Sequence, residues 1–206
     1  MRRLTALLQE LKLQGVLNDP HVQEAFEHID RYHFVPEAAQ SIAYGNYPLS
    51  IGFRQTISQP YTVAFMLDLL GAEPGQRVLD IGSGSGWTTA LLGHIVGERG
   101  SVLGLERIIE LVAYGKERLA RYRMPQAEIR AAGLGLGTPG ETYDRILVSA
   151  AAGKLPEELV EQLVPGGRLV IPVESSILRV CAPVSEGDTV SIESYYGFAF
   201  VPLIRA

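Results

Sequence analysis

Three glycines at alternate positions, Gly82, Gly84 and Gly86, follow the apolar run Val78-Leu79-Asp80-Ile81 and precede a helix-forming stretch that opens at Trp87. A strand, a glycine loop and a helix in that order bring backbone close to a ligand, because glycine has no Cβ to hold the ligand off. The spacing is not that of a dinucleotide site: the third glycine of a GxGxxG fingerprint begun at Gly82 would fall at position 87, which is Trp87. Asp80 at the strand end points the same way, since a carboxylate beside the loop repels phosphates and favours an ammonium or a sulfonium. Glu106 ends the next β-rich run, 20 residues beyond Gly86, where a carboxylate on a neighbouring strand tip accepts hydrogen bonds from ribose hydroxyls. Together these residues predict a nucleoside without phosphates. S-adenosylmethionine meets each condition, with its ribose on Glu106, its amino-acid tail over Gly82, Ser83, Gly84 and Gly86, and a sulfonium charge that Asp80 tolerates. The plainer alternative is a tight strand–helix turn beside a surface glutamate.

The elements that must position these residues are legible from periodicity. Leu4, Leu7, Leu8 and Leu11 share one helical face within 3–14, and Val22, Ala25, Phe26 and Ile29 share another after Asn18-Asp19-Pro20, with Asp19 as cap. Residues 31–59 show no period and are expected as an irregular, aromatic-rich cover. A third helix is expected over Pro60–Leu70, capped by Ser58 or Gln59. Short β-rich runs then alternate with helical stretches: Arg77–Ile81 and a helix near 88–95; 101–105 and 108–122; Ala127–Ala131; 145–149 and 156–163; and 167–173. That alternation predicts an α/β fold, a doubly wound, mostly parallel sheet of the Rossmann-like type. The runs 177–183, 189–195 and 198–204 follow without helices and are expected as antiparallel C-terminal edge strands.

Composition bounds the rest. The 206 residues, 47% of them apolar, allow one sizeable core, and a single domain is expected, with 1–75 as an N-terminal helical and irregular substrate cover and 76–206 as the cofactor-binding core. A net charge of −5 disfavours a general nucleic-acid surface. Cys181 is the lone cysteine, so no intrachain disulfide and no cysteine cluster for zinc can form. His21, His28, His33 and His94 have no ligand spacing, and no metal site is expected. The basic start Met1-Arg2-Arg3 is not expected to lead into a signal peptide, because Gln9, Glu10 and Lys12 interrupt the apolar stretch. No run approaches the roughly 20 apolar residues of a membrane span. The expectation is a soluble, cytoplasmic monomer.

The segment Asp30-Arg31-Tyr32-His33-Phe34-Val35-Pro36, then Ala43-Tyr44, then 48–60 with Thr56-Ile57-Ser58-Gln59-Pro60 as its most specific part, resembles the protein-L-isoaspartate O-methyltransferase family of class I S-adenosylmethionine-dependent methyltransferases. The likeness continues through 80–86, Tyr143-Asp144-Arg145-Ile146, Ala150-Ala151-Ala152, Pro156, Pro165-Gly166-Gly167 and on to Val173, and Phe200-Val201-Pro202-Leu203. The resemblance implies methylation of the abnormal carboxylate of L-isoaspartyl residues in damaged proteins, with release of S-adenosyl-L-homocysteine. It implies Ser58 as the catalytic residue, Gly133 beside the cofactor, and a substrate pocket built by Thr56, Ile57, Ser58, Gln59, Val173 and Val201. A carboxylate with a reference pKa of about 4 is ionised at pH 7 and needs no general base, so alignment carries much of the rate.

The chain departs from the family pattern in two places. Where the family usually has Gly-Asp-Gly, whose aspartate meets the adenine amino group, this chain has Ala131-Ala132-Gly133, and Asn46 replaces a common aspartate. Loss of one ligand hydrogen bond costs about 1–2 kcal/mol, roughly tenfold in cofactor affinity. These departures motivate two rivals: a methyltransferase of the same scaffold with another carboxylate or peptide acceptor, and a non-catalytic binder of damaged or C-terminal peptides. The glycine-rich stretch 133–140 has no evident purpose in the sequence.

Overall fold

Leu7, Leu8 and Leu11 lie buried on one side of α1 (Leu4–Leu13), and Val22, Ala25 and Phe26 on one side of α2 (Pro20–His28), as the i, i+3, i+4 spacing dictates. Asp19 caps α2 by accepting the His21 N–H at 2.8 Å, with Pro20 in the first turn. The computed structural model describes residues 3–185 and 187–204, so Met1 and Arg2 of the basic start lie outside the described residues.

The stretch read as irregular has its own order. Two 3₁₀ helices, Arg31–Phe34 and Glu37–Ile42, lead into an antiparallel hairpin of β1 (Leu49–Gly52) and β2 (Gln55–Ile57). Neither 3₁₀ turns nor a three-residue strand has enough repeats to leave a period. What gathers the segment is one side chain. The guanidinium of Arg31, a residue only 1% exposed, donates to the carbonyls of Ala43 (2.6 Å), Gly45 (3.3 Å), Tyr47 (3.1 Å), Ile57 (3.5 Å) and Ser58 (3.1 Å). It also lies 5.4 Å from the ring centroid of Trp87. Burial pushes its pKa down to about 10, against a pull upward from Tyr47.

After the hairpin comes α3 (Pro60–Leu70), whose N-cap is Gln59 and not Ser58, and Gln59 makes no side-chain capping bond. The first turn is satisfied instead by Asn46, whose Oδ1 accepts the Tyr61 N–H at 3.0 Å while its Nδ2 donates to Glu10 Oε1 at 2.8 Å and Gln14 Oε1 at 3.1 Å. An aspartate lacks the N–H groups for those last two bonds, so Asn46 is matched to α1 of this chain.

The remaining elements are β3 (Arg77–Ile81), α4 (Trp87–Val96), β4 (Ser101–Glu106), α5 (Ile109–Leu119), β5 (Ala127–Ala131), β6 (Tyr143–Val148), α6 (Glu157–Val160), β7 (Leu163–Val173), β8 (Ser176–Cys181) and β9 (Ser191–Tyr196). They form a seven-stranded sheet in the order β5-β4-β3-β6-β7-β8-β9, parallel from β5 to β7 and antiparallel from β7 to β9. Side chains alternate between its faces. Val78, Val102, Ile129, Leu147 and Val170 join one buried cluster with α1 to α5, while Leu79, Leu105, Ile146, Leu169 and Ile171 join another to which α6 contributes Leu159. One face therefore carries nearly all the helical cover. The crossover from β5 to β6 holds no helix, and the glycine-rich stretch 133–140 runs there instead. Among the described residues no helix is long and apolar enough to cross a membrane.

Two expectations are corrected. The helix expected over 156–163 is only four residues long, because the chain pairs early: Leu163 already faces Tyr143 in the β6–β7 ladder. The run 198–204 is not an antiparallel edge strand. Gly197 turns the chain with φ +96, the N–H groups of Gly197 and Phe198 both donate to the Ser175 carbonyl, and the segment then makes a single parallel bridge, Pro202 to Ala151. Pro202 has no N–H to extend a ladder. The chain crosses the carboxyl end of the sheet, where Ala151 donates to Val201 O at 2.8 Å and accepts from Leu203 N at 2.7 Å.

Asp80, one residue before the end of β3, is fully buried, with Oδ2 accepting the hydroxyls of Thr88 and Thr89 at 2.7 Å each. These bonds tie the strand end to the first turn of α4 and fold the glycine loop between them. Burial raises the Asp80 pKa to about 6, opposed by the two threonines and reinforced by Glu106.

Two outcomes follow from these buried charges. Arg31→Met strands five carbonyls, and urea unfolding is expected to show a loss of at least about 3 kcal/mol; a loss below about 1 kcal/mol contradicts the role given to Arg31. Asp80 has a folded pKa above its unfolded value, so its contribution is full below about pH 4 and is lost as pH rises through about 6. Without cofactor, Asp80→Asn is expected to flatten the stability–pH profile between pH 4 and 8 by about 2–3 kcal/mol relative to the parent.

Candidate active site

Open parallel sheets bind ligands beyond the carboxyl ends of their strands where the chain reverses direction across the sheet. Here β3 lies between β4, which continues the chain on one side, and β6, to which it returns. A cavity of about 230 Å³ opens at that place. Its floor is Ile81, Leu105, Glu106, Ser149 and Ala150 at the strand ends, and one wall is the loop Gly82 to Ser85 with Trp87 and Thr88. The opposite wall is Ala132 to Gly137; Ile51 and Gln55 to Ser58 come from the hairpin side, and Val201 to Ile204 from the C-terminal strap.

The glycine loop is pinned to the end of β4. The N–H groups of Gly82 and Ser83 donate to Leu105 O at 2.8 and 3.1 Å, and Gly84 N–H donates to Glu106 Oε2 at 3.0 Å. Gly86 is the tightest position: its φ is +88, and a Cβ there would stand 2.8 Å from Ile129 Cδ1 and 3.2 Å from the Gly115 carbonyl of α5. Glu106 also accepts the Ile108 N–H at 2.9 Å through Oε1. Each carboxylate oxygen has a second acceptor site, so Glu106 retains capacity for hydroxyls of a bound ribose. Ser83 Oγ is buried with no hydrogen-bond partner among the described residues. An orphaned hydroxyl, a carboxylate with acceptor capacity and an open cavity fit S-adenosylmethionine.

Of the residues expected at the cofactor, Gly82, Ser83, Gly84, Glu106 and Gly133 line the cavity, whereas Asp80 and Gly86 lie beneath the loop and shape it. Of those expected at the substrate, Thr56, Ile57, Ser58 and Val201 line it. Gln59 and Val173 do not: Gln59 caps α3, and Val173 pairs with Ser176 and bridges to Ala152. Ser58 is half-buried, its carbonyl held by Arg31 and its position set one residue before the α3 cap.

The stretch 133–140 also acquires a purpose. Gln162, 4% exposed, accepts the Thr138 N–H through Oε1 at 2.8 Å and donates to Leu136 O at 2.9 Å and Glu158 O at 2.8 Å. Gly137 permits this contact, since a Cβ there would meet Gln162 Oε1 at 2.3 Å. The loop is thus stapled down as a cavity wall. Ile108, Ser149 and Glu158 line the cavity as well and went unread in the sequence; Ser149, a polar residue just past the carboxyl end of a parallel strand, carried the one available signal. Trp87 lines the cavity while packing edge-on against Phe26 at 5.3 Å and donating to Ile29 O at 3.3 Å.

Comparison with known proteins agrees with this geometry. Residues 2–206 match the family model Protein-L-isoaspartate(D-aspartate) O-methyltransferase (PCMT). The chain is 39% identical over 203 residues to the protein-L-isoaspartate O-methyltransferase of Pyrococcus horikoshii, covering 96% of this chain and 90% of that one. It is 43% identical over 187 residues to the enzyme of that name from Methanothrix thermoacetophila, covering 89% and 87%. A Plasmodium falciparum crystal structure named for the same activity, in complex with S-adenosyl-L-homocysteine, superposes with a TM-score of 0.84 at 26% identity over 100% of both chains. With the glycine loop, Glu106 and the hairpin bearing Ser58 around one cavity, and with a family match across nearly its whole length, the chain belongs to the protein-L-isoaspartate O-methyltransferase family.

Proposed function

We infer that this protein methylates the free carboxylate of L-isoaspartyl residues in damaged proteins, using S-adenosylmethionine. The observation that carries the reading is one cavity lined both by Gly82, Ser83, Gly84 and Glu106 and by Thr56, Ile57 and Ser58. Donor-type and acceptor-type residues thereby face each other. When bound, S-adenosylmethionine supplies a methyl group on a positively charged sulfur and leaves as S-adenosyl-L-homocysteine. Glu106 and the loop hold the nucleoside and amino-acid ends, and Ser83 Oγ gains a partner. Ser58 donates a hydrogen bond that orients the acceptor carboxylate, which is already ionised and needs no proton removed. Ile57 and Val201 exclude water beside it, so the carboxylate is partly stripped of its shell and held in line.

Ala132 lines the cavity wall where the family's aspartate would meet the adenine amino group. The stapled loop leaves the wall in place without that acceptor, which supports weaker cofactor binding rather than a lost activity. A non-catalytic peptide binder would have no use for the Glu106 arrangement.

The test is transfer of labelled methyl from S-adenosylmethionine to a matched pair of peptides, one isoaspartyl and one aspartyl. Base-labile ester is expected on the isoaspartyl peptide alone; cofactor binding with no such ester overturns the acceptor. In the same assay Ser58→Ala is expected to lower kcat by about 100-fold with cofactor Kd little changed, and unchanged kcat removes Ser58 from the chemistry. Ala132→Asp is expected to tighten cofactor binding about tenfold by calorimetry, and no change would place the adenine amino group elsewhere.

A further inference from the structure

The four histidines have no ligand spacing along the chain, yet folding brings two of them together. His28, in the last turn of α2, and His94, in the last turn of α4, stack with ring centroids 4.9 Å apart and planes 18° from parallel. Glu24 precedes His28 by one helical turn, and its Oε1 lies 3.8 Å from His94 Nε2. One ligand atom from each of Glu24, His28 and His94 falls within 4.8 Å of the other two. The His28 ring has a defined tautomer. Its Nδ1 lies 2.9 Å from the Glu24 backbone carbonyl, which can only accept, so Nδ1 carries the proton and the lone pair is on Nε2. A backbone carbonyl on the far ring nitrogen is the partner that fixes tautomer and orientation in metal-bound histidines.

We propose that Glu24, His28 and His94 form a binding site for a divalent transition-metal ion, Zn²⁺ in particular, that bridges α2 and α4. Two imidazole nitrogens and one carboxylate oxygen suit zinc and disfavour calcium or magnesium, and they leave the fourth tetrahedral position to water. Zinc ligands at about 2.0–2.2 Å from the metal stand closer together than these atoms do. Closing that gap requires rotation of the Glu24 and His28 side chains, both of which are exposed. None of the three residues lines the cofactor cavity, so the site is independent of the proposed reaction. Its effect would be structural: α2 belongs to the cover, α4 follows the glycine loop, and an ion between them reinforces the contact made by Phe26 with Trp87.

The test uses the full chain after treatment with a chelator. Calorimetric titration with ZnCl₂ is expected to give one saturable site per chain, and Co²⁺ to give visible absorption bands with nitrogen ligands. At zinc 100-fold above Kd, Tm is expected to rise by about 5 °C or more. His28→Ala and His94→Gln are each expected to weaken zinc at least about tenfold and to remove the Co²⁺ bands, and Glu24→Gln to alter them. The metal-free Tm of each variant separates loss of the site from loss of the fold. Absence of saturable binding or of Co²⁺ bands in the parent protein overturns the proposal, whatever the variants do. Unchanged zinc affinity in a folded His28→Ala protein overturns it equally and leaves the ring pair as packing alone.

Discussion

A guanidinium buried among carbonyl oxygens holds the hairpin side of the cavity in place. Arg31 collects the backbone of Ala43, Gly45, Tyr47, Ile57 and Ser58, groups that an irregular segment cannot satisfy with its own ladder. Each carbonyl is a weak acceptor compared with a carboxylate, and burial lowers the pKa of Arg31 accordingly. Five carbonyls nonetheless fix a geometry that one carboxylate would not. They draw the 3₁₀ turns, the hairpin and the residue before α3 toward one point, and the Trp87 ring joins that point to the start of α4. Ser58 is therefore positioned relative to the glycine loop by a residue that does not itself line the cavity.

The donor half of the cavity rests on two buried carboxylates used differently. Asp80 holds Thr88 and Thr89 through Oδ2 so that the chain turns sharply after β3, while its Oδ1 is buried with no hydrogen-bond partner among the described residues. Glu106 faces the cavity and spends half its acceptor capacity on Gly84 and Ile108. The negative charge inferred from these residues thus has one structural member and one open to ligand. Gly86 completes the turn by letting the loop settle against Gly115 of α5.

The two departures from the family pattern have different physical standing. Asn46 is an exchange of one cap for another, since its amide reaches Glu10 and Gln14 on α1 while its oxygen caps α3. Ala132 removes a polar group from a cavity wall. The glycine-rich loop behind it keeps that wall in place through Gln162, so its rigidity comes from one buried amide and not from a helix.

Local signals carried much of the structure. The helices over Leu4–Leu13, Pro20–His28 and Pro60–Leu70, the parallel strands and the strand–glycine–helix turn were legible because burial on one face imposes a period, and because positive φ beside a ligand selects glycine. The family motif marked Ser58 as well. Contacts between residues far apart in the chain were not legible, because no period records them. Gln162 with the 133–140 loop, Asn46 with α1 and α3, the strap of Val201 and Leu203 on Ala151, and His28 against His94 each join segments that sequence spacing leaves unrelated. Arg31 belongs with them: it was legible as part of the family motif, but only closure of the chain around it supplies the five acceptors that make its burial tolerable. The sequence by itself determined the sheet, the turn and the cofactor's chemistry, since those follow from local burial and backbone freedom; tertiary structure alone decided which polar groups meet, since that depends on where distant segments come to rest.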